Sequence, residues 1–65
     1  MAQEELFALI AEAESGNVES MKQVARIFLE LAEKNTQDGC VEQALICLEH
    51  SDKWRNELRK RNVKW

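Results

Sequence analysis

Proline is absent from these 65 residues, and glycine occurs only at Gly16 and Gly39. Those two positions are the strongest local punctuation available, and they divide the chain into three segments, each long enough for a helix. With so little glycine there is no room for a glycine-rich loop to cradle a phosphate. Tyrosine is also missing. No apolar run approaches the ~18 residues that a membrane span requires. The first residues, "MAQEELFALIAEAE", carry acids where a secretory signal carries bases, so a cytoplasmic, reducing setting is expected. The length suits one domain, residues 1–65, near the lower limit at which a hydrophobic core alone sustains a fold.

What the chain does hold is charge, unevenly placed. Residues 1–52 contain eleven acids against three bases, whereas residues 53–65 contain six bases and only Glu57. The net charge of -3 thus joins an acidic body to a basic tail. Such a tail suits an acidic partner, a phosphate backbone or the acidic body of a second copy.

The apolar residues repeat with helical period. Leu6, Leu9, Ile10 and Ala13 form one stripe with Phe7 on its flank, predicting a helix over about 3–15. Gly16 supplies a stop in the left-handed region, and Asn17 is a favourable N-cap. A second helix over about 18–34 places Met21, Val24, Ala25, Phe28, Leu31 and Ala32 on one side. Ile27 and Leu29 widen that stripe, which implies contact with more than one neighbour. After a polar loop in which Asp38 or Gly39 can cap, a third helix over about 39–61 carries Val41, Ala44, Leu45 and Leu48 inward, with Cys40 and Cys47 beside them. Trp54 and Leu58 continue its face, and no stop signal is evident before Arg61. At 1.5 Å per residue this helix outruns the second, so about two basic turns are expected to project. The expected fold is all-α: three helices, with an antiparallel helical hairpin and a long basic C-terminal helix. Phe7, Met21, Val24, Phe28, Leu45 and Leu48 are the expected core.

Within this pattern "AESGNVESM", "VARIF" and "ALICLEHS" resemble the inter-repeat turn, the packing signature and the second-helix end of the Sel-like repeat family, relatives of the tetratricopeptide repeat. Gly16, Ala25, Phe28, Ala44 and Leu48 fall where that pattern asks for small or packing residues. The likeness covers about residues 11–51, little more than one repeat. Cys47 stands where an aromatic is usual, Ser51 replaces a small alanine, and the loop lacks the family's glycine-rich form. The resemblance implies adaptor work through stacked helices, with no catalytic residues to carry over. Because a lone repeat cannot bury its apolar face, it also implies that a second chain or flanking helices complete the stack.

No constellation of catalytic or ligating groups emerges. Cys40, Cys47 and His50 lack a fourth metal ligand, and His50 is rotated about 60° from Cys47 around a helix. Seven helical residues separate the two thiols by about 10 Å, too far for an intrachain disulfide. His50, Ser51 and Asp52 hold the residue types of a hydrolase triad, yet consecutive helical positions point in three directions. No cofactor and no enzymatic activity are expected.

The tail "DKWRNELRKRNVKW" is the segment whose composition asks for a partner. Trp54, Arg55, Leu58, Arg59, Arg61 and Trp65 are the expected contact positions, for another protein or a second subunit. The alternative is a small nucleic-acid-binding regulator, its bases on phosphates and its indoles stacked. A basic third helix suits a helix-turn-helix reader, but the first two helices are too acidic to lie across DNA. So short a chain would suit an accessory protein of a phage or plasmid.

Overall fold

The computed structural model describes residues 3–64. Three helices account for the fold: α1 (Gln3–Glu14), α2 (Val18–Gln37) and α3 (Val41–Lys60). The described residues form no strand, as the all-α expectation requires. α2 is the middle element. It packs against both α1 and α3, while no Cα atom of α1 lies within 8 Å of one in α3. The Cα atoms fill a slab of 34 × 24 × 14 Å.

All three helices stop the same way. Gly16 has φ 103°, and the amides of Gly16 and Asn17 donate to the carbonyls of Ala13 and Glu12, each at 3.1 Å. Gly39 has φ 83°, with the amides of Gly39 and Cys40 donating to Thr36 and Asn35 at 3.1 and 2.7 Å. At the end of α3 Asn62 takes φ 58°, and the amides of Asn62 and Val63 donate to Arg59 and Leu58, each at 3.0 Å. These are Schellman turns, in which a left-handed residue lets two amides satisfy two otherwise orphaned carbonyls. Asparagine is the side chain that tolerates this conformation best after glycine, so Asn62 is the stop signal that the sequence reading overlooked.

The helix starts are less uniform. Asn17 caps α2 as expected, its side-chain oxygen accepting from the Ser20 amide at 3.1 Å. The N-cap of α3 is Cys40, which makes no side-chain capping bond; Asp38 and Gly39, the expected caps, instead close α2. Glu42 in the first turn and Arg59 and Lys60 in the last still match the α3 dipole.

α2 and α3 are each 20 residues long, so the expected overhang of α3 does not form. The Ser51 hydroxyl, fully buried, donates to the Ala25 carbonyl at 3.0 Å and fixes the hairpin register. Counted from that link along antiparallel helices, the last turn of α3 falls beside the first turn of α2. Leu58 and Trp54 therefore join Ala13, Met21, Val24 and Ala25 in the core, with Leu9, Ile10, Val18, Phe28 and Val63 packed around them. A second polar link ties α1 to α2, the Ser20 hydroxyl donating to Glu12 Oε2 at 2.8 Å.

The expected core needs three corrections. Met21 and Val24 are buried and Phe28 is partly so, but Phe7, Leu45 and Leu48 are exposed by 66%, 55% and 39%. Phe7 lies on the flank of α1, and the stripe of α3 that faces inward is Ala44, Ser51, Trp54 and Leu58, rotated away from Leu45 and Leu48. Replacing Trp54 with alanine should cost about 3–5 kcal/mol, a large fraction of the ~5–15 kcal/mol typical of a domain. A urea titration followed by far-ultraviolet circular dichroism reads this as a lowered midpoint. An unchanged midpoint would mean that Trp54 does not hold the helices together.

Candidate interaction surface

The structure separates the six expected contact residues. Trp54 is 5% exposed and Leu58 0%, so neither offers surface to a partner without opening the core. Their i, i+4 spacing was read as a continuation of the inward face, and that part holds; the projection beyond α2 does not. Arg55 is half-buried, its Nη1 3.6 Å from Asp52 Oδ1 one turn earlier. Arg59 and Arg61 are exposed. Trp65 lies outside the described residues. Nearby charge is partly spent within the helix, since Lys60 Nζ lies 3.7 Å from Glu57 Oε1. Lys53 Nζ sits over the face of the Trp54 ring, 5.0 Å from its centroid.

The larger unpartnered surface is apolar. Phe7, Val41, Leu45, Ile46, Leu48 and Leu31 are all more than a third exposed. Four of them lie on the first three turns of α3. The twelve-residue α1 is shorter than the 20-residue α2 that it packs on, and it makes no backbone approach to α3. One face of the hairpin also carries an open groove of about 420 Å³ between α2 and α3, with Ala32 and Thr36 in its lining and Leu29 and Leu48 beside them. A second hollow of about 350 Å³ runs between α1 and α3 and is lined by Leu6, Phe7, Ile10, Phe28 and Trp54 with Glu14, His50 and Lys53.

The groups singled out for chemistry are occupied structurally. His50 is exposed, yet its ring stacks on Phe28 with centroids 5.0 Å apart at 26°. Ser51 is committed to the Ala25 carbonyl. Cys47 is half-buried and its sulfur accepts from Asn35 Nδ2 at 3.8 Å, while Cys40 is exposed. Among the described residues no group of three or more His, Cys, Asp or Glu side chains is placed to hold a metal ion. No helix among them is long and apolar enough to cross a membrane.

Ile27 and Leu29, which widened the expected stripe on α2, are half-buried, whereas Leu31, expected within that stripe, is exposed. Of the inward stripe of α3, Ala44, Trp54 and Leu58 followed the apolar period, whereas Ser51 is polar and gave no such signal. Trp65→Phe leaves Trp54 as the single tryptophan. Its emission should then be blue-shifted and weakly quenched by acrylamide, and free quenching would place the indole at the surface instead. Comparison with protein-family models, curated proteins and solved structures gives no match, so function must be argued from this chain's own residues.

Proposed function

We propose that this chain is a small protein-binding module without chemistry of its own, and that it self-associates. One observation carries the reading: among the described residues, six large apolar side chains are exposed, whereas only Met21, Val24, Trp54 and Leu58 exceed alanine in size among the buried apolar ones. Burying a leucine or valine side chain is worth about 1.5–3 kcal/mol, so a small domain with this imbalance gains much by covering its surface. The resemblance to a single Sel-like repeat points the same way, because one hairpin leaves a face for another helix.

Exposed Arg59, Arg61 and Lys64 favour the second reading, a nucleic-acid-binding regulator. Burial of Trp54 weighs against it by removing one of the two stacking platforms that reading relied on. Sedimentation equilibrium from roughly 1 to 500 μM chain separates the two. A concentration-dependent dimer that Leu45→Glu weakens by about tenfold or more is the expected result. A monomer at every concentration that binds duplex DNA or single-stranded RNA, more weakly as salt rises, would replace the protein-binding reading with the alternative.

A further inference from the structure

We draw no further inference here: the strongest candidate, the exposed apolar face of α3 formed by Val41, Leu45 and Leu48 beside the open groove between α2 and α3, carries none because nothing in the structure shows what covers it.

Discussion

α1 and α3 lie on either side of α2 without a Cα approach inside 8 Å, so something other than backbone proximity must join the three helices into one core. Trp54 meets that need. Its side chain is buried with Ala13 of α1 and with Met21, Val24 and Ala25 of α2, and it lines the hollow that Leu6, Phe7 and Ile10 border from α1. An indole contributes some 150–250 Å² of buried surface, more than any other side chain available here. Among the described residues, four of the eight buried apolar ones are alanines, which let helices approach but contribute little area themselves. The arrangement therefore depends on one large ring in a setting of small residues.

Small residues set the geometry in turn. Ala25, Ala32, Ala44 and Ser51 line the approach of α2 and α3, and the bond from Ser51 to the Ala25 carbonyl satisfies a hydroxyl that would otherwise be buried unpaired. That link fixes both rotation and register. It places Leu58 beside the start of α2, and it turns Leu45 and Leu48 outward. The Val63 contact then closes the end of α3, since a Schellman turn commonly brings the residue after the left-handed one back onto the last turn of its helix.

The parts of this fold legible in the sequence were those governed by backbone conformation or by period. Gly16 marked a stop because a left-handed residue without a β-carbon carries little steric strain, and Asn17 marked a start because its short side chain reaches a free amide, whereas Gly39, expected to cap α3, closes α2. The period of Met21, Val24, Ala25 and Phe28 gave the inward face of α2. Three features escaped for physical reasons. Asn62 does the work of a glycine with a less diagnostic residue. The length of α2 was underestimated at its polar end, where "NTQ" continues the helix despite weak propensity. The rotation of α3 follows from Ser51, whose burial depends on a carbonyl 26 residues away and so cannot appear in any local pattern. Of the expected contact residues, Arg59 and Arg61 reach the surface, while Trp54 and Leu58 face inward as the periodicity alone had indicated.

The outward leucines are best understood as a consequence of that inward choice. A helix of period 3.6 cannot direct both Trp54–Leu58 and Leu45–Leu48 to the same line, since the two pairs lie on different sectors of its circumference. Burying the tryptophan secures the contact among three helices. Burying the leucines instead would leave the indole in water and α1 without its bridge to α3. The fold therefore gains its internal cohesion by leaving Val41, Leu45 and Leu48 of α3 exposed. One rotation of α3, set by Ser51 and Trp54, thus produces both the closed core and the bare apolar face.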